Sequence, residues 1–207
     1  MLKIAVFASG GGSNLQALID AQESGLFKAK IGMVFSNVQD AKALERAENH
    51  GIESIVIAGK GYPGTREQYD QEVLDLCQDK KIDLICLAGY MRIVTPLLVR
   101  PYLYRMMNIH PALLPKFGGK GMYGHHVHEA VIQAKEKESG ATVHFVTEEV
   151  DGGPVILQGS VKVLPQDTPE TLAERVLKVE HRIYPEAVRL FCEKKIKVEN
   201  GRVKVLF

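Results

Sequence analysis

The first half of the chain alternates short apolar runs with segments of helical spacing, and this pattern limits the possible folds most. The apolar runs predict four β-strands, over residues 4–8, 31–35, 55–57 and 82–88. Helices are predicted between them, the first capped by Ser13 or Asn14, the second over about residues 41–49 and the third burying Tyr69 and Val73. Strands without polar alternation are covered on both faces, so we expect a mostly parallel sheet between two layers of helices.

The second half follows a different pattern. A fifth strand is predicted from Met106 to Ile109, and strands over residues 141–146 and 155–163 are expected to extend the sheet in antiparallel fashion. Residues 116–124 are glycine-rich and predicted to be a loop. The remaining predicted elements are a helix from Glu129 to Lys135, a long helix beginning at Pro169 with Leu172, Val176, Val179 and Ile183 buried, and a hairpin turning at Asn200-Gly201. We therefore predict a Rossmann-like α/β fold in a single domain over residues 1–207.

Charge and cysteine content exclude several functional classes. The 207 residues carry a formal net charge of +1, which argues against a nucleic-acid-binding scaffold, and no apolar run approaches the length of a membrane span. The cysteines Cys77, Cys86 and Cys192 have no Cys-x-x-Cys spacing, so neither a disulfide framework nor a thiolate zinc site is indicated. The sequence predicts a cytoplasmic protein without a membrane or nucleic-acid partner.

An amide and an imidazole lie two positions apart where the fifth strand ends. Asn108 and His110 face the same side of an extended segment, and Pro111 and Pro115 stiffen the loop that follows. Ligands of parallel sheets bind at the carboxyl ends of strands, which favours a functional role over a core histidine and a turn asparagine. Asp151, before Gly-Gly-Pro, is either a third member of this group or a turn residue that binds backbone donors.

The glycine-rich turn after the first strand is a candidate anion site. The segment Ser9-Gly10-Gly11-Gly12-Ser13-Asn14-Leu15 joins a strand to a helix whose amino end favours a phosphate. It lacks the third glycine of a dinucleotide fingerprint and the lysine of a P-loop, which argues against NAD and ATP. A tight βα turn without a ligand remains the alternative.

Two further groups of residues have open interpretations. The segment 89–94 either lines a flat aromatic ligand or is ordinary core with a surface arginine. His125, His126 and His128 could be metal ligands, but a metal site needs ligands that converge with compatible geometry and no thiolate lies close in sequence, so no metal site is predicted there. His144, within a predicted strand, is either structural or directed at the site.

Over essentially its whole length the sequence resembles the folate-dependent phosphoribosylglycinamide formyltransferases. The resemblance rests on five segments: Ser9-Gly10-Gly11-Gly12-Ser13-Asn14-Leu15-Gln16, Phe35-Ser36-Asn37, Leu87-Ala88-Gly89-Tyr90-Met91-Arg92-Ile93, Asn108-Ile109-His110-Pro111-Ala112-Leu113-Leu114-Pro115, and Val143-His144-Phe145-Val146 with Asp151-Gly152-Gly153-Pro154. The Asn-x-His pair with a later Asp is common to formyltetrahydrofolate-using transferases and hydrolases. The Gly-Gly-Ser-Asn-Leu loop and the short chain are typical of this particular group.

The resemblance implies transfer of a formyl group from 10-formyltetrahydrofolate to the amine of glycinamide ribonucleotide in purine biosynthesis. It implies that Asn108 donates to the formyl oxygen, that protonated His110 stabilises the oxyanion, and that Asp151 holds His110 and helps to move protons. Substrate contacts are implied for Gly11, Gly12, Ser13, Asn14 and Glu180. Contacts with the folate are implied for Arg66, Met91, Arg92, Ile93, Val94 and Asn108.

The resemblance also implies a domain whose N-terminal half binds the nucleotide and whose C-terminal half binds folate and carries the catalytic residues. A monomer or homodimer acting on small molecules without a metal is expected. The alternatives are a formyltetrahydrofolate deformylase, which carries an extra N-terminal domain, and methionyl-tRNA formyltransferase, which carries an extra C-terminal one. A non-catalytic nucleotide-binding protein would leave Asn108, His110 and Asp151 without a role.

Overall fold

The computed structural model describes residues 1–206, which form nine strands and six α-helices. The chain divides after Met107 into two compact units. The first unit contains β1 (Leu2–Phe7), α1 (Ser13–Glu23), β2 (Ala29–Ser36), α2 (Lys42–Asn49), β3 (Ser54–Val56), α3 (Arg66–Asp79), β4 (Leu84–Leu87), α4 (Pro96–Val99) and a 3₁₀ turn (Arg100–Tyr102). β5 (Met106–His110) crosses the division, and the second unit continues with α5 (His125–Gln133), β6 (Glu138–Phe145), β7 (Val155–Lys162), α6 (Pro169–Cys192), β8 (Ile196–Glu199) and β9 (Arg202–Val205).

The main sheet has seven strands in the order β3-β2-β1-β4-β5-β6-β7. β1 pairs in parallel with β2 and β4, and β2 pairs in parallel with β3. β6 and β7 pair antiparallel, and β8 and β9 form a separate antiparallel hairpin. The mostly parallel α/β sheet with an antiparallel extension is therefore confirmed.

Burial explains why these segments become strands and helices. All four residues of β4 are buried, as expected for a strand covered on both faces. In α6 the predicted stripe is buried: Leu172, Val176, Val179 and Ile183. Thr65 and Thr168 begin α3 and α6 with capping boxes, in which each threonine hydroxyl accepts a hydrogen bond from the third helical amide.

The structure corrects three details of the sequence prediction. α1 is capped by Gly12 rather than by Ser13 or Asn14, because the chain enters the helix through a left-handed residue with φ of 71° that no side chain caps. α5 begins at His125 instead of Glu129, after Gly124 at φ of 51°. α4 and the 3₁₀ turn were not predicted, because two prolines break this short stretch into single turns.

Candidate active site

Asn108 and His110 end β5 on one side of the strand, as the alternation predicts. The imidazole of His110 is only 3% exposed. Its Nε2 lies 2.8 Å from the carbonyl oxygen of Phe117. A carbonyl only accepts hydrogen bonds, so Nε2 carries the proton and donates it to Phe117.

The other ring nitrogen of His110 faces a carboxylate. Nδ1 lies 3.6 Å from Oδ2 of Asp151, which is too far for a hydrogen bond. Burial lowers the pKa of His110, and it outweighs the opposite effects of Asp151 and of the Phe117 carbonyl. His110 is therefore neutral at neutral pH with an available lone pair on Nδ1, whereas the sequence-based interpretation expected a protonated ring.

Asp151 lies at the centre of this group of side chains. Its backbone adopts φ of 56°, a left-handed conformation that Asp tolerates better than most residues. Oδ2 accepts a hydrogen bond of 2.9 Å from the amide of Gly119, in the predicted 116–124 loop. Burial raises the pKa of Asp151, but the contact with His144, the nearby His110 and the Gly119 amide together lower it below its usual value. The carboxyl group is therefore ionised at neutral pH.

His144 also belongs to this group. The sequence left open whether His144 is structural or directed at the site, and the structure places it beside Asn108 and Asp151. Its Nδ1 lies 2.9 Å from the carbonyl oxygen of Phe145 and must donate to it. The other ring nitrogen, Nε2, lies 3.2 Å from Nδ2 of Asn108 and 3.5 Å from Oδ1 of Asp151. Asn108 Nδ2 is also 3.5 Å from Asp151 Oδ1. The amide nitrogen of Asn108 is thus oriented by an imidazole and a carboxylate.

The position of His144 could have been recognised from the period of two along β6. Thr142 and His144 are polar residues on the same face of a strand that is otherwise apolar over its second half. Thr142 Oγ1 donates to the carbonyl oxygen of Ala112 at 2.6 Å and accepts from the Leu114 amide at 3.1 Å. That face of β6 therefore supports the segment that follows His110.

The glycine turn of the first unit has an open side. A Cβ added to Gly10 or Gly11 would meet no atom within 4 Å. At Gly12 the same addition would lie 2.8 Å from the Cα of Ala43, so only glycine fits there. α1 begins without a side-chain cap and without an acidic residue in its first turn, so neither of these offsets the positive end of the helix. The turn is thus suited to an anion.

The residues predicted to contact folate outside β5 lie near the end of β4 and the start of α3: Arg66, Met91, Arg92, Ile93 and Val94. Met91 and Ile93 are 51% and 42% exposed, which is unusual for large apolar side chains. Arg66 Nη2 donates to the carbonyl oxygen of Ile93 at 2.8 Å. The guanidinium of Arg92 stacks on the Tyr69 ring at 3.9 Å instead of extending into solvent.

Two other predictions concern the second unit. Glu180, implied as a substrate contact, lies on α6 and is 8% exposed. His125 and His126 both contact Glu129, at 3.1 Å and 3.5 Å, whereas His128 is buried. Within residues 1–206 no group of three or more His, Cys, Asp or Glu side chains has the arrangement of a metal site. In the same range no helix is both long and apolar enough to cross a membrane.

Comparisons with known proteins show the family to which this chain belongs. Residues 2–188 match the formyl transferase family. A phosphoribosylglycinamide formyltransferase from Haemophilus influenzae is 42% identical over 201 residues, which cover 97% of this chain and 92% of that protein. The crystal structure of glycinamide ribonucleotide transformylase 1 from Symbiobacterium toebii aligns with a TM-score of 0.94 at 42% identity, covering 100% of this chain and 95% of the other.

A related enzyme with a different reaction is more distant in sequence. A formyltetrahydrofolate deformylase from Pseudomonas syringae aligns with a TM-score of 0.90 at 29% identity, and the match covers 100% of this chain but only 66% of that one. The fold is common to both reactions, whereas the near-complete matches at higher identity are to the transferases that act on the glycinamide nucleotide. The chain therefore belongs to the formyl transferase family, in the group of the phosphoribosylglycinamide formyltransferases.

Proposed function

We propose that this protein transfers a formyl group from 10-formyltetrahydrofolate to the amine of N1-(5-phospho-D-ribosyl)glycinamide, in purine biosynthesis. The observation that carries the proposal is the placement of one carboxylate between two imidazoles and an amide. Oδ2 of Asp151 faces His110 and Oδ1 faces His144 and Asn108, with all three distances between 3.5 and 3.6 Å. A base, a hydrogen-bond donor and an ionised carboxylate are the groups that acyl transfer to an amine requires.

His110 is proposed to accept the proton that the amine loses. When the amine nitrogen bonds to the formyl carbon, it becomes positively charged and must lose a proton before the C–N bond of the donor breaks. Nδ1 of neutral His110 takes this proton, and the resulting imidazolium lies between the Asp151 carboxylate and the Phe117 carbonyl. The same proton is then delivered, directly or through water, to the departing nitrogen of the folate. Asp151 remains ionised throughout.

Asn108 is proposed to donate a hydrogen bond to the formyl oxygen as negative charge develops on it. One amide hydrogen is engaged by His144 at 3.2 Å, and the other faces Asp151 at 3.5 Å, too long for a strong hydrogen bond. That second hydrogen can turn to a stronger acceptor. The imidazolium of His110 adds positive charge at the same stage, so both groups act on the tetrahedral adduct more than on the substrates.

Binding roles are proposed for the other predicted residues. Gly11, Gly12, Ser13 and Asn14 bind the phosphate, because the turn is open and leads into an uncapped helix. Glu180 binds the glycinamide end. The exposed apolar side chains of Met91 and Ile93 suit a flat pterin, with Arg92, Val94 and Asn108 as further folate contacts and Arg66 for the glutamate tail.

We further propose a cytoplasmic enzyme of one formyltransferase domain over residues 1–207, with the nucleotide half first and the catalytic half second. It acts as a monomer or homodimer, without a metal, and has no nucleic-acid partner. A formal net charge of +1 supports the last point, because a tRNA substrate favours a basic surface.

An acceptor assay tests the function. Purified protein is given 10-formyltetrahydrofolate with glycinamide ribonucleotide, with initiator methionyl-tRNA, or with no acceptor, and tetrahydrofolate release is followed together with the formylated product. We expect release only with the nucleotide, in equal amount to formylglycinamide ribonucleotide. Donor consumption at the same rate without an acceptor would instead identify a deformylase.

A further inference from the structure

A side chain outside the proposed binding residues holds the glycine turn. Arg46, on α2, donates from Nε to the carbonyl oxygen of Gly11 at 2.8 Å. Its Nη1 donates to Oε1 of Gln16, on α1, at 3.2 Å. Its Cδ lies close to Gly12, since a Cβ at that glycine would be 3.2 Å away. Arg46 thus spans the turn and the first helical residues that follow it.

The amide of Gln16 is fixed in the orientation that this contact requires. Its Nε2 donates to Oδ1 of Asp20 at 2.8 Å and lies 3.1 Å from Nε2 of His50. His50 Nδ1 lies 2.8 Å from a carboxylate oxygen of Glu23, so Nδ1 carries the proton and Nε2 accepts from Gln16. The amide oxygen of Gln16 is therefore directed at Arg46, and the guanidinium is held at two points.

The three glycine carbonyls of the turn are all bound by donors of the first unit. The amide of Ala43 donates to Gly10 O at 3.0 Å, Arg46 donates to Gly11 O, and the amide of Gln16 donates to Gly12 O at 2.9 Å. A carbonyl oxygen directed at an anion repels it, so binding all three to protein donors removes that repulsion. Only the Gly11 carbonyl depends on a side chain, and that side chain is a cation.

We propose that Arg46 is the positioning residue of the phosphate subsite. It keeps the Gly11 carbonyl turned toward α2, so that the turn presents donors to the phosphate, and its charge attracts the anion. This inference rests on the proposed function, because it assigns the turn to the phosphate of the nucleotide substrate. Arginine is required rather than lysine, since a single ammonium group lacks the planar fork that reaches Gly11 and Gln16 together.

Kinetics of Arg46→Gln test the inference. We expect KM for glycinamide ribonucleotide to rise on the order of tenfold or more, as for loss of a charge-assisted hydrogen bond. The kcat value and the KM for 10-formyltetrahydrofolate should stay within a few-fold, because the lost contact affects ground state and transition state alike. Arg46→Lys should recover only part of the loss. Arg105→Gln is the matched control, since Arg105 also donates to a carbonyl of its own unit, that of Pro101 at 2.6 Å.

A substrate without the phosphate separates positioning from general damage. With glycinamide riboside as acceptor, wild type and Arg46→Gln should have equal kcat/KM. An equal loss with both acceptors, or an unchanged KM for the nucleotide, would overturn the inference while leaving the proposed function intact.

If no formyl transfer to the nucleotide is detected, calorimetric titration with inorganic phosphate still tests the positioning role of Arg46. Wild type should then bind phosphate more tightly than Arg46→Gln, and Arg105→Gln should bind as wild type does. In that case the failed transfer refutes the proposed function. Absence of phosphate binding to wild type, or equal binding by all three proteins, would separately refute the positioning role of Arg46.

Discussion

At the scale of single residues, the pKa values of two adjacent side chains are both lowered, which leaves one of them neutral and the other charged. Burial lowers the pKa of His110, and the contacts with His144, His110 and Gly119 lower that of Asp151 despite its burial. At neutral pH the pair is therefore a neutral base beside an ionised carboxylate. Both states suit the proposed transfer, because the base is free to accept a proton and the carboxylate stabilises the cation that results.

Replacing His110 tests its role directly. His110→Ala removes both the base and the cation of the intermediate, so turnover at saturating substrates should fall by about 10²–10³, the usual cost of losing such a group. His126→Ala, an exposed histidine in contact with Glu129, serves as the control and should retain wild-type turnover. Turnover of His110→Ala within a few-fold of wild type would contradict the assignment.

Replacing Asp151 tests how the carboxylate acts. Burial lowers the pKa of His110, and the charge of Asp151 is the largest effect that raises it, so Asp151→Asn should lower this pKa further. The limb of the kcat/KM profile that reports His110 in the free protein should therefore move toward acid. Asn tolerates the left-handed backbone at this position, so the fold should persist. A profile unchanged in position would exclude charge coupling between the two residues.

The effects of His110→Ala and Asp151→Asn on turnover should not be additive in free energy. His110 and Asp151 are proposed to act as one unit, so the double variant should have turnover little below that of the less active single variant. Single-turnover rates for the four proteins measure this coupling. Effects that multiply cleanly would mean that the two residues work independently.

Part of this site was predictable from the residues alone and part was not. Alternation along β5 places Asn108 and His110 on one side, and the strand end places them at a loop, so both follow from local geometry. The sequence did not distinguish between the two interpretations of His144. It also did not indicate that burial would lower the pKa of His110 by more than Asp151 raises it. Both depend on contacts between residues 34 to 43 positions apart, as in the pairs His110–His144, Asn108–Asp151 and His110–Asp151. Local pattern contains no information on such contacts.

At the scale of elements, the turn between β1 and α1 contains one glycine that the fold requires, Gly12, and one that is proposed to contact the phosphate without being required by the fold, Gly11. Gly12→Ala should destabilise the protein by about 1–2 kcal/mol from its left-handed backbone alone, with an additional cost from the contact with Ala43. Gly11→Ala meets no atom within 4 Å and should leave stability within about 0.5 kcal/mol. Chemical denaturation of both variants checks this difference.

Gly11→Ala should nevertheless weaken nucleotide binding, because its methyl group lies on the open side proposed for the phosphate. Calorimetry with glycinamide ribonucleotide and with folate separates the two ligands. A loss of both affinities together would point to a general disturbance of the fold rather than to a phosphate contact.

α5 carries three histidines that invite a metal-binding interpretation. His125 and His126 are paired with Glu129, and His128 is buried, so the three do not converge on one point. We expect full activity after exhaustive chelation and no stoichiometric metal by elemental analysis. Activity that returns only on addition of zinc would reverse this prediction.

At the scale of the whole molecule, the sequence predicted the layers of the fold better than its irregular parts. Uniformly apolar strands such as β4 imply a covered parallel sheet by themselves. α4 and the start of α5 have no such pattern, because Pro96 and Gly124 set them by backbone geometry, and His125 and His126 are not apolar. The proposed catalytic residues His110 and Asp151 lie beside such an irregular segment, since Phe117 and Gly119 supply their backbone partners.

Two buried histidines should make the stability of the whole protein sensitive to mild acid. Burial, with smaller effects of nearby histidines, lowers the pKa of His128 to about 4, and burial also lowers that of His110. An unfolded chain binds a proton at each residue near pH 6.5, before the folded protein does. Stability should therefore fall as pH drops from 6.5 toward 4, and His128 alone should account for about 3 kcal/mol of the loss.

Denaturant unfolding at several pH values between 7 and 4 measures this effect. In His128→Gln the free energy of unfolding should fall less steeply over this interval than in wild type, because the group that takes up the proton on unfolding is missing. His126→Gln removes an exposed imidazole from the same helix and should retain the wild-type slope. Below pH 4 wild type and His128→Gln should lose stability at the same rate, since His128 is then protonated in both the folded and the unfolded state. Parallel curves for wild type and His128→Gln over the whole range would show that the pKa of His128 is the same in the folded and the unfolded protein, and would contradict the lowered value.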